Sequence, residues 1–254
     1  MNTSDHNPPT AIVTGASYGI GRASALALAQ SGWHLVLTDL HPDSLAPVLA
    51  EAQGMGVSAH AVALDLNAAD TLHAWVAEIG RSHPGLGLLV NNAGVPSLSK
   101  PATQTSAADW DAVMNVNLKG TFFLTTAFGA WLIERGRGGA VVSLSSTHGS
   151  VGLAGASVYG ISKAGISHMT RMLAIEWAAH GIRVNAIAPG TTLTESRAPR
   201  LSEPVKRDSM LARIPIGRFG HAQEMGQAVA YLASAQASYI TGQILHLDGG
   251  LTAY

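Results

Sequence analysis

The 254-residue chain predicts an α/β fold: a doubly wound parallel sheet of about seven strands with helices on both faces. Three observations point there. Short, β-rich apolar runs recur along the chain, and most are continuously apolar rather than alternating, as expected for strands covered on both faces. Helical stretches separate them, the pattern of parallel strands joined by crossovers. Neither a Pro/Ser-rich linker nor a low-complexity tract interrupts the series, so residues 1–254 read as a single domain.

The elements follow in order. Ala11–Thr14 is the first apolar run and Ile20–Gln30 the helical stretch after its turn. Strands are expected at His34–Thr38 and Ser58–Leu64, a helix at Asp70–Ile79 and a strand at Leu86–Val90. One long helix is expected over Ala107–Trp131, then a strand at Ala140–Leu144. Val158–Ala179 reads as helix, Ile182–Ile187 as strand, Gln223–Leu232 as helix, and Gln243–Leu247 as the last strand. The longest irregular stretch runs from about Gly190 to Arg218. Loops of that length usually carry function, and we expect a substrate lid over about 190–218.

Hydrophobic residues make up 47% of the chain, enough for a buried core. Charged residues are 12%, about half the usual share of roughly 25%, and 15 Lys+Arg against 16 Asp+Glu leave a formal charge of -1. That balance excludes a general electrostatic footprint for nucleic acid or an anionic membrane. So little charge also fits a surface partly covered by other subunits. With no cysteine, disulfides, thiolate metal sites and a Cys nucleophile are excluded. The eleven histidines form no H-E-x-x-H pattern, and His60, His73 and His83 read as surface or strand residues, so no metal is expected. Met1–Thr10 lacks the basic and apolar regions of a secretory signal, and no apolar run of about 18 residues occurs. The expected location is the cytoplasm.

The first strand ends in Thr14-Gly15-Ala16-Ser17-Tyr18-Gly19-Ile20-Gly21, and a helix follows at once. Glycines at such a turn let backbone approach a diphosphate, and the helix start offers free N–H groups and a positive dipole end. The spacing is G-x-x-x-G-x-G, not the commoner G-x-G-x-x-G. Asp39 ends the second strand about 20 residues on, where a carboxylate holds adenosine ribose hydroxyls. A 2′-phosphate facing it at 4 Å would cost about 4 kcal/mol per unit charge at an effective dielectric of about 20. No Arg or Lys follows Asp39, and Tyr18 takes a loop position where a cation could meet such a phosphate. Both features favour NAD over NADP.

Tyr159-Gly160-Ile161-Ser162-Lys163 opens a helix, and an i, i+4 pair shares one helix face. A free phenol titrates near 10, but a neighbouring cation favours phenolate and makes such a group useful for proton transfer.

These motifs together resemble the short-chain dehydrogenase/reductase family, in its single-domain, Rossmann-type form. The match runs from Thr10 to Gly250 in the family's order: the Gly15–Gly21 turn, Asp65, Asn91-Asn92-Ala93-Gly94, Asn117, Ser146, Tyr159-x-x-x-Lys163, Pro189-Gly190 and Asp248-Gly249-Gly250. The resemblance implies roles. Tyr159 would be the general acid/base, and Lys163 would hold the nicotinamide ribose and favour the phenolate. Ser146, thirteen positions before Tyr159, would hydrogen-bond the reacting oxygen in preference to Ser145. Asn117, rather than Asn115, would hold a water linking Lys163 to solvent. Gly15, Ser17, Tyr18, Gly19, Ile20 and Gly21 would cradle the cofactor, with Asp39 on its ribose. Asp65 and Leu66 would face the adenine, and Asn91, Ala93 and Gly94 the adenosine side. Pro189 and Gly190 would lead to Thr192 or Thr194 at the nicotinamide amide. Family members usually pair through two long helices, here Ala107–Trp131 and Val158–Ala179, so a homotetramer is expected, with a dimer as the lesser form.

Substrate contacts in such a fold come from loops beyond the strand ends. Ser97, His148 and Ser157 offer a polar set suited to a hydroxylated molecule rather than a steroid. Residues 191–218 hold six of the fifteen cations, Arg197, Arg200, Lys206, Arg207, Arg213 and Arg218. An inward guanidinium there, from Arg197 or Arg200, would suit a carboxylate. The expected activity is an NAD-dependent dehydrogenase of a sugar-derived secondary alcohol or sugar acid. An NADPH-dependent 3-oxoacyl thioester ketoreductase is the alternative, and a dinucleotide sensor without chemistry is the alternative of another class.

Overall fold

A computed structural model describes residues 8–195 and 203–253. In chain order the strands and helices are β1 (Thr10–Thr14), α1 (Gly19–Gln30), β2 (His34–Asp39), α2 (Ala46–Gly54), β3 (Ala59–Ala63), α3 (Leu72–Ser82), β4 (Leu86–Asn91), α4 (Ala107–Met114), α5 (Thr121–Glu134), β5 (Gly139–Leu144), α6 (Ser157–Trp177), β6 (Ile182–Pro189), β7 (Thr192–Leu193), α7 (Pro204–Leu211), β8 (Gly220–His221), α8 (Ala222–Ala233) and β9 (Ile244–Leu247). Seven strands form one parallel sheet in the order β3-β2-β1-β4-β5-β6-β9. Each of the seven expected strands is present, with ends shifted by no more than two residues.

Successive side chains of a strand point to opposite faces, which explains the unbroken apolar runs. Ala11 and Val13 of β1 join Leu28 of α1, Val48 of α2 and Val229 of α8 in one core layer. Ile12, between them, joins Val76 of α3, Phe128 of α5 and Leu173 of α6 on the other face. Strand order reverses at β1 and β4: the chain moves outward to β3, then returns to start the other half. A crevice opens beyond the carboxyl ends of strands at such a switch point.

Three expectations need correction. The single helix over Ala107–Trp131 is divided: α4 and α5 flank a π-helical turn, Asn115–Gly120. Helical periodicity cannot reveal an inserted residue of this kind, because both sides of the turn keep their own pattern. Gly120 closes that turn against the β3–α3 connection, where a Cβ would stand 2.2 Å from the Leu66 carbonyl oxygen. Second, α2 was not expected; it buries only Val48 and Ala52, too sparse a stripe to stand out. Third, the stretch from Gly190 to Arg218 is not wholly irregular. It contains β7, which pairs in parallel with β8, and α7. Helix α7 buries no residue, so its sequence lacks an apolar stripe; its signal is Pro204 at the first turn.

Candidate active site

The motifs meet at one edge of the sheet. β1, β4, β5 and β6 run parallel, so the segments leaving their carboxyl ends (Gly15–Gly21, Asn92–Gly94, Ser145–Ser146 and Gly190) lie together.

The glycine turn is fastened to β4 by a small polar lock. Thr14 Oγ1 donates to the Val90 carbonyl (3.3 Å) and accepts from the N–H groups of Asn92 and Ala93 (3.0 Å each). Asn92 Nδ2 donates to the carbonyls of Thr14 (2.9 Å) and Gly15 (2.8 Å). Gly15 has φ +62°, and a Cβ on Gly21 would stand 2.1 Å from the Gly15 oxygen and 2.4 Å from Asn92 Nδ2. Glycine is required at both positions by the turn's own packing. Asn92 is outside the predicted site set although its motif was visible; side-chain bonds to a turn remote in sequence carry no local pattern.

Helix α1 starts at Gly19 with no acid in its first turn and no side-chain cap on Tyr18. Its first N–H groups therefore face outward with the positive end of the dipole. A carboxylate oxygen stands there: Glu195 Oε2 accepts from Gly19 N at 3.1 Å. The chemistry suits an anionic oxygen such as that of a diphosphate. Asp39 ends β2 beside the turn, with Oδ2 accepting from Ser17 Oγ at 2.6 Å and Oδ1 from Leu40 N at 2.8 Å. Tyr18 is exposed, Ile20 half-buried and Leu66 buried. Exposed Asp65 accepts from the N–H and Nδ2 of Asn67. The Asn91 side chain is turned into the core, donating to Thr125 Oγ1 (2.8 Å) and Ser143 Oγ (3.1 Å). With the side chain so engaged, the Asn91 backbone is the part left to face the cofactor's adenosine side. Thr192 is buried, its hydroxyl donating to the Gly190 carbonyl, and Pro189 and Gly190 are buried beside it. The Thr194 methyl lies 3.2 Å from where a Gly19 Cβ would stand.

Tyr159 and Lys163 sit on the first turns of α6. Lys163 is buried, with Nζ donating to the Leu144 carbonyl at 2.7 Å and lying 5.7 Å from the Tyr159 ring centroid. One of its three donors is thus used by the sheet edge. Ser146 is buried and its Oγ accepts from His148 N at 3.2 Å. Ser145 is committed elsewhere, to the Lys163 carbonyl and to Ser167 Oγ. Asn117 lies in the π turn: Oδ1 accepts from Val95 N (2.7 Å), while Nδ2 donates to the Val95 carbonyl (3.0 Å) and Ser162 Oγ (3.4 Å). A Cβ on Gly94 would lie 3.0 Å from Asn117 Oδ1 and 3.8 Å from Lys163 Nζ, so all three residues meet.

Ser97, Ser157 and Tyr159 line one crevice with Lys100 and Gly155, and the His148 ring meets Tyr159 edge-on at 6.2 Å between centroids. Arg197 and Arg200 lie outside the described residues. Other cations near the site have structural partners: Lys100 pairs with Asp109, and Arg218 reaches both oxygens of Glu224.

Known proteins resemble the chain along nearly its whole length. The family model described as enoyl-(acyl carrier protein) reductase matches residues 15–252. A 3-oxoacyl-[acyl-carrier-protein] reductase of Thermotoga maritima is 38% identical over 94% of this chain and 96% of the relative. Galactitol 2-dehydrogenase (L-tagatose-forming) of Cereibacter sphaeroides is 40% identical, covering 96% of this chain and 95% of that one. Among solved structures, a short-chain type dehydrogenase/reductase from Mycobacterium marinum superposes with a TM-score of 0.91 at 31% identity, covering 98% of each chain. Solved neighbours hold NADP in two cases and NAD in another. A seven-stranded parallel sheet, a glycine turn at its switch point and sequence identity along nearly the whole chain lead to one conclusion: this protein belongs to the short-chain dehydrogenase/reductase family, and is an oxidoreductase.

Proposed function

We propose that the protein is an NAD-dependent dehydrogenase interconverting a secondary alcohol and a ketone on a sugar-derived polyol or sugar acid, such as a 2-keto-3-deoxy sugar acid. The observation that carries the chemistry is that Lys163 lies beside the Tyr159 ring and meets the Asn117 turn at Gly94, with buried Ser146 two residues past the Leu144 carbonyl that Lys163 holds. In oxidation, Tyr159 takes the hydroxyl proton of the substrate; in reduction it returns a proton to the ketone oxygen. Ser146 donates a hydrogen bond to that same oxygen, since Ser145 is already committed. Lys163 uses its remaining donors for ribose hydroxyls and a water held near Asn117. The dinucleotide, when bound, supplies the acceptor or donor of hydride. Gly15–Gly21 would hold its diphosphate, Asp39 its adenosine ribose and Asp65 its adenine. Ala93, Gly94 and the backbone of Asn91 would line the adenosine side, and Thr192 or Thr194 the amide.

Asp39 supports NAD: its carboxylate is fixed at the end of β2 by Ser17 and Leu40, where a 2′-phosphate would be repelled. The polar crevice beside Tyr159 and the galactitol dehydrogenase relative support a hydroxylated substrate. We take the chain to work as one domain, with 190–218 as lid, in the cytoplasm. Exposed Phe122, Phe123, Met172 and Ile175 on α5 and α6 support assembly through those helices into a homotetramer. A second reading, 3-oxoacyl thioester reduction with NADPH, is favoured by the Thermotoga relative.

A panel of polyols, sugar acids, apolar alcohols, steroids and 3-oxoacyl thioesters, run in both directions with each cofactor, tests the proposal. Turnover of polyols or sugar acids with higher kcat/KM for NAD is expected. Activity confined to apolar alcohols or steroids overturns the substrate class. A preference for NADP(H) overturns the cofactor choice, and turnover of thioesters alone with NADPH establishes the second reading.

A further inference from the structure

The crevice beside Tyr159 is walled by two loops that hold each other, one between β4 and α4 and one between β5 and α6. Lys100 N donates to the Gly155 carbonyl at 3.0 Å, and Ser97 Oγ reaches the same oxygen at 3.4 Å. The backbone is left-handed at both joints: Gly155 has φ +77° and Ser99 φ +52°. Among the described residues Ser99 is the one with a Cβ that adopts such a φ. A conformation of that kind persists where its surroundings over-determine it. Here it sets Lys100 into the lining of the crevice, beside Ser97, Thr105, Ser157 and Tyr159.

Lys100 is the cation of that lining among the described residues. Its ammonium bonds Asp109 Oδ2, which also accepts from Ser106 N and Ser106 Oγ at 2.8 Å each. Asp109 is the third residue of α4, so the positive end of the helix dipole answers its charge as well. The carboxylate is thus served by the helix start, while the ammonium has given up one of its three donors. The Lys100 side chain is 37% exposed, which leaves the other two within reach of a ligand. A cation set among three hydroxyls and a phenol matches a polyhydroxylated anion. Resting on the reading that Tyr159 exchanges its proton with a substrate in this crevice, we propose that Lys100 binds the carboxylate of a sugar acid and selects it over the neutral polyol of the same configuration. Asp109 holds the long side chain in place beforehand, which spares part of the ordering cost of binding.

The test compares wild type with Lys100→Met and Lys100→Arg, using whichever of NAD and NADP the wild type prefers. Six-carbon aldonic acids and 2-keto-3-deoxy aldonic acids are set against the alditols of the same configuration. Wild type is expected to show its highest kcat/KM on an acid. Lys100→Met is expected to raise KM for that acid about tenfold with kcat within about twofold, and Lys100→Arg to restore most of the loss. KM for any alditol that is turned over is expected to stay unchanged, and a thermal melt matching wild type shows that the variants are folded. Added NaCl is expected to raise KM for the acid in wild type and to have little effect in Lys100→Met, since screening acts on the charge that the variant lacks. An unchanged KM for the acid in folded Lys100→Met overturns the proposal, as does an equal rise for acid and alditol or a wild-type preference for alditols. Turnover of neither acids nor alditols by wild type removes instead the substrate reading on which the proposal rests.

Discussion

Lys163, Asn117 and Ser146 are 7%, 1% and 5% exposed, and each is tied to backbone by at least one hydrogen bond. In the proposed lid, α7 buries no residue, and the segment after it packs in a small cluster: Ile214 and Phe219, with Met210 and Leu211 against them. A fully buried Leu or Phe contributes about 1.5–3 kcal/mol, so α7 lacks the stabilisation that every sheet-packed helix has. The difference teaches how one chain divides its labour. The proposed proton transfer would need side chains fixed to within a fraction of an ångström, and burial suits the floor to that. The proposed lid would need to open at small cost, and the sparse packing of α7 suits that.

The strongest test of the floor is Tyr159→Phe. It deletes one phenolic oxygen and leaves the ring against His148. We expect kcat to fall by about 10²–10⁴, with the cofactor dissociation constant unchanged. Retained turnover, read in a steady-state assay, would falsify the acid/base assignment.

Asn117→Ala asks whether the floor is as rigid as its hydrogen bonds imply. Both the N–H and the carbonyl of Val95 lose their partner, and the π turn loses its anchor to the loop beside Gly94. The expected loss is about 1–3 kcal/mol of stability, seen as a Tm lower by several degrees, together with a lower kcat. An unchanged Tm would mean that the π turn holds itself.

These two regions were unequally legible in the sequence. The floor announced itself because its chemistry needs rare residue types at fixed spacing: Tyr159 and Lys163 one helical turn apart, Ser146 just past a strand, glycines at a strand-to-helix turn. The strands were legible because both faces of each are covered. What stayed hidden depends on tertiary neighbours. The Asn117 turn is an extra residue within a helix whose two halves look normal. Asn91 and Asn92 are adjacent and chemically identical, yet one turns into the core and the other locks the glycine turn. The lid's α7 has no apolar stripe to betray it, and the contact of Glu195 with Gly19 spans 176 residues.

Phe219→Ala tests the lid in the same terms. In a main core such a truncation costs about 3–5 kcal/mol. Phe219 packs with Ile214 in a cluster separate from the two sheet layers. The loss is therefore expected to remain local: KM rises several-fold while Tm moves by less than about 2 °C. A Tm drop as large as that of Asn117→Ala would show that the lid shares the floor's cooperativity.

Acid offers the mildest separation of the two regions, through a pair of helix caps. Asp109, in the capping box of α4, is held down to about 2, first by its bond from Lys100 and then by those from Ser106. Glu224, at the start of α8, is also held to about 2, first by Arg218 and then by the His221 N–H. In the unfolded chain both carboxylates titrate near their ordinary values of about 4. The folded state therefore binds the proton less well, so each cap's stabilisation is fully present above about pH 4 and is lost as pH falls toward about 2. Both groups are partly exposed to solvent and screened, so the effect on Tm is small. Yet Lys100–Asp109 ties the loop beside Tyr159 to α4, whereas Arg218–Glu224 ties the end of the lid to α8. Asp109→Asn is expected to lower Tm slightly at pH 7 and to converge with wild type near pH 2. Glu224→Gln is expected to act chiefly on KM, since it frees the lid's last residue while leaving the sheet intact. Thermal melts between pH 2 and 7, with KM measured where the enzyme stays folded, distinguish the two; identical profiles for both variants would mean that the lid is anchored as firmly as the floor.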